Sequence, residues 1–128
     1  MLAPTEGELA ILRVLWSDGP ATVRAVNDRL NKTSDKPVGY TTTLKLMQLM
    51  ADKGLVDRDT SARSHVYSAV AGQEHTQRGL LRRFVDSTFG GSRTQLVLRA
   101  LGGGEASAEE LAEIKRLIES LEKEDHHD

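Results

Sequence analysis

Thr42, Lys45 and Gln48 stand three residues apart in the run from Val38 to Val56. Their hydroxyl, ammonium and carboxamide groups can donate to and accept from polar edges. On a helix this spacing puts all three on one stripe. Reading base edges in a DNA major groove requires such a stripe near a helix N-terminus, backed by an apolar face that fixes the helix to its domain. The run supplies both. Gly39 breaks the chain, Thr41 offers a hydroxyl N-cap, Leu46, Leu49 and Met50 recur at helical spacing, and Gly54 supplies a left-handed stop. These signals predict a helix over about 41–53, with its apolar stripe on Leu46, Leu49 and Met50.

The elements before it must carry that helix. Thr5 and Glu8 form a capping box that opens a helix with Leu9, Leu12, Leu15 and Trp16 on one face, closed by Gly19-Pro20. A second, short helix is expected from Thr22 to Leu30, with Val23, Val26 and Leu30 inward and Arg24 and Arg29 outside. Asn31 to Gly39, with Pro37, reads as the turn into the central helix. After Gly54 the period becomes extended: Leu55–Arg58 and Ser64–Val70 flank a polar connection, a two-stranded hairpin. Three helices and a hairpin in this order make a winged helix. Arg58 and Arg63 then stand on the wing, within reach of phosphates or the minor groove.

From Gln73 to Phe89 helical period returns, with Leu80, Leu81, Phe84, Val85 and Phe89 on one side, ended by Gly90-Gly91. Ser92 caps a shorter helix through about Leu101, and Gly102-Gly103-Gly104 forms a joint. Ser107 and Glu110 open a last helix to about Lys123, where Leu111, Ile114, Ile118 and Leu121 follow the spacing of a coiled-coil seam and Leu117 widens it. The fold class is therefore mainly α with a small β-hairpin: a winged helix over residues 1–71 and a three-helix domain over 72–128. These C-terminal helices have too few apolar residues for a core of their own. A homodimer covers the leucine faces best, through Leu81, Phe84, Leu111, Ile114, Leu117, Ile118 and Leu121; folding back onto the N-terminal half is the alternative.

Composition narrows the function classes. The 128 residues contain no cysteine, which excludes disulfides, thiolate metal sites and cysteine nucleophiles. No membrane-spanning run or signal peptide is present, so a cytoplasmic protein without membrane insertion is expected. Residues 1–70 hold 9 Lys and Arg against 8 Asp and Glu, and residues 71–128 hold 8 against 11. DNA affinity in so neutral an N-terminal half must come from local placement of cations and from having two copies. No phosphate loop, zinc-protease motif or serine elbow occurs, which argues against an enzyme. No cofactor is expected. The histidines show no ligand spacing, and the tail Asp125-His126-His127-Asp128 reads as a solvated end rather than a metal site. Two other readings stay open: a winged helix used for protein contact, and a sensor with a small-molecule pocket, which the 4% aromatic content disfavours.

Tyr40-Thr41-Thr42, Lys53-Gly54-Leu55-Val56, His65-Val66-Tyr67 and Gly90-Gly91-Ser92 followed by Leu96-Val97-Leu98 together resemble the BlaI/MecI/CopY penicillinase-repressor family, from about Leu9 to Leu121. The resemblance implies a bacterial repressor that binds a palindromic double-stranded DNA operator as a homodimer. It implies base and phosphate contacts at Thr41, Thr42 and Lys45. Thr22, Arg24 and Tyr40 are added as DNA-contacting candidates, and Gln48 from its place on the stripe. It also implies release by a membrane sensor-protease system, through cleavage of an Asn-Phe bond after the Leu-Val-Leu stretch. Here those positions are Arg99 and Ala100, which do not match that specificity, so another protease or a nearby bond is the alternative. The copper-sensing branch is excluded by the absence of cysteine.

Overall fold

The computed structural model describes residues 3–125. Its elements run α1 (Glu6–Asp18), β1 (Ala21–Thr22), α2 (Val23–Thr33), α3 (Tyr40–Asp52), β2 (Val56–Asp59), β3 (Val66–Ala69), α4 (Gln73–Phe89), α5 (Arg93–Gly102) and α6 (Ala108–Asp125). This is a winged helix-turn-helix followed by three helices. The chain divides into two compact units, one up to Leu81 and one from Arg82, so the division falls within α4.

In the first unit α1, α2, α3 and the sheet enclose one core of Ile11, Leu12, Leu15, Val23, Val26, Met47, Met50, Leu55, Val56, Tyr67 and Ala71. Leu9 and Trp16 are only half-buried, and Ile11 and Glu8 take the inward positions expected for them. The Trp16 indole N–H instead donates to the Ala71 carbonyl at 2.8 Å, tying α1 to the segment between β3 and α4. The sheet has three strands in the order β1-β3-β2, not two, because Ala21 and Thr22 pair antiparallel with Tyr67 and Val66. A two-residue strand is too short to show alternation, so only its pairing reveals it. Arg58 pairs with Tyr67 and Asp59 with Val66, which carries the wing beyond the core.

Both capping boxes form. The Thr5 hydroxyl accepts from the Glu8 amide at 3.3 Å while Glu8 accepts from the Thr5 amide at 2.9 Å, and Ser107 and Glu110 exchange the same two bonds at 3.1 Å each. Glu8 does more than cap. It is buried, and its second oxygen accepts from the Lys53 ammonium at 2.7 Å, so the start of α1 holds the end of α3. Burial pushes the Glu8 carboxyl up, but the bonds from Lys53 and Thr5 outweigh it and hold it below the usual carboxylate range.

A carboxyl held down in this way stabilises the fold above the unfolded value of about 4.3, and that share is lost as pH falls through the lower folded value. Glu8→Gln is therefore expected to destabilise the domain at pH 7 by about 1.5–3 kcal/mol, the range for a charged hydrogen bond. Urea melts from pH 7 down to about 3 should show a flatter acid decline in Glu8→Gln than in the parent. Equal declines would assign the acid sensitivity to other carboxylates.

Candidate nucleic-acid interface

The position of α3 is set by its entry. Asn27, buried on α2, donates through its amide to the Val38 carbonyl and to the Thr43 hydroxyl, both at 2.9 Å. Asn31, one turn on, donates to the same carbonyl at 3.1 Å and accepts from the Val38 amide at 2.6 Å. Both polar backbone groups of Val38 are thus gripped from α2, and the chain enters α3 extended, with Gly39 at φ −70° and ψ 145°.

Gly39, not Thr41, is therefore the N-cap. The helix starts at Tyr40, and no side chain caps it; the Gly39 carbonyl accepts from the Thr43 amide and hydroxyl at 3.2 and 3.3 Å. Thr41 lies inside the first turn and is free to face outward. The inward face is also rotated from the expected one. Thr43, Met47 and Met50 are buried, Leu46 is half-buried, and Leu49 is 42% exposed. Pulling the Thr43 hydroxyl inward to Asn27 turns Leu49 out.

Thr41, Thr42, Lys45 and Gln48 are all exposed. At 100° per residue Thr41, Lys45 and Gln48 form the centre of the outward face, while Thr42 lies on its flank beside Leu49. On the other flank the surface dips into a cleft of about 270 Å³ between α3, the start of α2 and the wing. Thr22, Arg24, Tyr40, Gln48, Arg58 and Arg63 all line it, joined by His65 and Ser64, which sequence reading did not single out as contacts. Thr22 is the N-cap of α2, its hydroxyl accepting from the Ala25 amide at 3.2 Å. The Arg24 guanidinium lies 4.5 Å from the centre of the Tyr40 ring. Arg29 is not free for this face, since it pairs with Asp18 at 3.1 Å; α2 also runs on to Thr33, past the expected end at Leu30. At the wing Asp59 accepts from the Ser61 amide at 2.9 Å, and the bonds to Ser61 hold its carboxyl below the usual range.

The arrangement is that of a cationic groove beside an exposed polar helix face: a surface that can follow a phosphate backbone and read base edges at once. A sequence model of the penicillinase repressor family matches residues 4–120. The chain belongs to the penicillinase repressor family. It is 36% identical to the transcriptional regulator BlaI of Mycobacterium tuberculosis, in two strains, over 75 residues that are 58% of this chain and 53% of that protein. The match spans about half the length of those relatives. Two solved MarR family regulators are similar at lower levels. One has a TM-score of 0.49 and 21% identity over 94% of this chain and 76% of that one. The other, from Neisseria meningitidis, has a TM-score of 0.44 and 16% identity over 94% and 78%. The penicillinase repressor family is named for transcriptional repression, not for catalysis.

In this penicillinase repressor family member the second unit has little interior. Val85 is its buried apolar residue among those described, and α5 and α6 bury none. Leu81, Phe84, Leu111, Leu117, Ile118 and Leu121 are exposed, as are Val97 and Leu98 on α5, at 44 to 58% each. Ile114 is half-buried, and Phe84 packs edge-on against Phe89 with ring centres 5.7 Å apart. Arg99 and Ala100 lie exposed within α5, in regular helix rather than in the extended loop that proteases prefer. His126 and His127 lie outside the described residues. No helix among the described residues is long and apolar enough to cross a membrane.

Proposed function

We propose that this chain is a transcriptional repressor that binds a two-fold symmetric operator as a homodimer and works in the cytoplasm. Residues 1–71 contact DNA and residues 72–128 dimerise. The α3 helix enters the major groove with Thr41, Thr42, Lys45 and Gln48 toward base edges and adjoining phosphates. Thr22 and Arg24 meet the backbone at the start of α2, beside Tyr40 at the start of α3, and Arg58 and Arg63 meet it from the wing. The observation that carries this reading is the cleft, where arginines from α2, β2 and the wing loop converge beside the polar face of α3. The apolar face of α6 supports the dimer: Leu111, Ile114, Ile118 and Leu121, with Leu117, form a stripe on a helix with no fully buried residue. A sensor or protease acts on this repressor by separating the dimer, because two weakly held half-sites release DNA when they are unlinked.

Selection of bound duplexes from a random pool tests this. The enriched sequences should converge on an inverted repeat with half-sites one helical turn, or a multiple, apart. Enrichment of a single half-site or of no sequence would contradict it. On the selected duplex, Thr42→Ala/Lys45→Ala is expected to weaken binding by at least about tenfold, as loss of one good polar contact to a base does. Unchanged affinity in a gel shift would move the reading surface away from α3.

A further inference from the structure

Tyr40 is the first residue of α3 and 39% exposed, while Arg24 sits in the first turn of α2. Two different helices thus contribute the halves of one stacked pair at the cleft mouth, its guanidinium carbon 4.5 Å from the ring centre. An arginine so placed is not a free surface charge. Its long side chain would otherwise sample many rotamers, and an exposed arginine must give up that freedom when it grips a phosphate. Stacking on the ring removes part of this loss in advance while leaving the N–H edge open to an oxygen acceptor. No carboxylate pairs with Arg24 among the described ion pairs, which involve Arg29, Lys53 and Arg78.

We propose that Tyr40 serves DNA binding through Arg24, as a positioning residue whose ring holds the guanidinium at the cleft mouth, pre-set for a backbone phosphate. The ring is the support and the guanidinium the contact. This rests on the DNA-binding reading above and assigns to Tyr40 a role other than direct contact with DNA. The phenol hydroxyl has no part in it.

The test is a double-mutant cycle on operator affinity with Tyr40→Leu, Tyr40→Phe, Arg24→Gln and Tyr40→Leu/Arg24→Gln, each checked for unchanged melting. Tyr40→Leu is expected to weaken binding about two- to fivefold per half-site, the strength of an exposed stacked cation, and so roughly four- to 25-fold for a dimer on two half-sites. Tyr40→Phe should retain parent affinity. In the Arg24→Gln background the loss from Tyr40→Leu should vanish. The salt dependence should separate the roles, Arg24→Gln lowering the slope by about one per half-site and Tyr40→Leu leaving it unchanged. Equal weakening by Tyr40→Phe and Tyr40→Leu, full loss in the Arg24→Gln background, or no loss at all would overturn the positioning role while leaving the repressor reading intact. Failure of the unsubstituted protein to bind any duplex would overturn both.

Discussion

Ile118→Asp/Leu121→Asp is expected to sediment as a monomer and to bind its operator about two to four orders of magnitude more weakly, the span over which linked binding exceeds single-module binding. Both side chains are half exposed on α6, and that helix makes no extensive packing with α4 or α5. The substitutions therefore leave the chain's own interior untouched, and the far-ultraviolet circular dichroism should change little. Carboxylates placed in an apolar seam between two chains would be desolvated without partners, which strongly opposes association. Unchanged sedimentation and affinity would place the dimer contact elsewhere, with the exposed Val97 and Leu98 of α5 the next surface to test.

Asn27→Ala is expected to lower stability about as much as Glu8→Gln and, unlike it, to disturb the entry of α3. It takes the amide donor from the Thr43 hydroxyl, which is fully buried and keeps only its bond to the Gly39 carbonyl, and one of two amide donors from the Val38 carbonyl. Each buried hydrogen bond lost costs about 0.5–1.5 kcal/mol, so the two together cost about 1–3 kcal/mol. For a domain of this size that lowers the melting temperature by roughly 4–8 °C per kcal/mol. Operator affinity should fall further than stability alone explains, because the grip on Val38 sets where α3 begins. Asn31→Ala, at an exposed position, should lose less, since water can replace its bonds. Equal effects of the two substitutions would show that the buried link to Thr43 is not what positions α3.

The contrast between these asparagines shows what the sequence could and could not say. Features closed within three or four residues were legible: the Thr5–Glu8 and Ser107–Glu110 boxes, Ser92 capping α5, and Gly54 at φ 81° after α3. The Asn27–Thr43 bond spans 16 residues, and nothing local distinguishes Asn27 from any polar residue on a short helix. Missing that bond also misplaced the inward face of α3, since a threonine reads as outward and a leucine as inward unless a partner for the hydroxyl is known. Leu49, inward by its helical spacing, is instead 42% exposed. The arginines of the cleft illustrate the same limit from the other side. Each of Arg24, Arg58 and Arg63 is legible as a surface cation of its own element, but their convergence depends on β1 pairing with β3, which draws the start of α2 to the wing. A two-residue strand leaves no periodic trace.

DNA binding through the cleft is tested most sharply by the salt dependence of binding to the selected inverted repeat, followed by fluorescence anisotropy. Neutralising phosphates releases counterions, so the logarithm of the binding constant should fall linearly with the logarithm of salt, by about 0.9 per phosphate contacted. With Lys45, Arg24, Arg58 and Arg63 in two copies, a slope steeper than about −4 is expected, reduced in Arg58→Gln/Arg63→Gln. A slope near zero, or one unaffected by removing the wing arginines, would contradict a cleft that follows the DNA backbone and would favour a winged helix that binds protein.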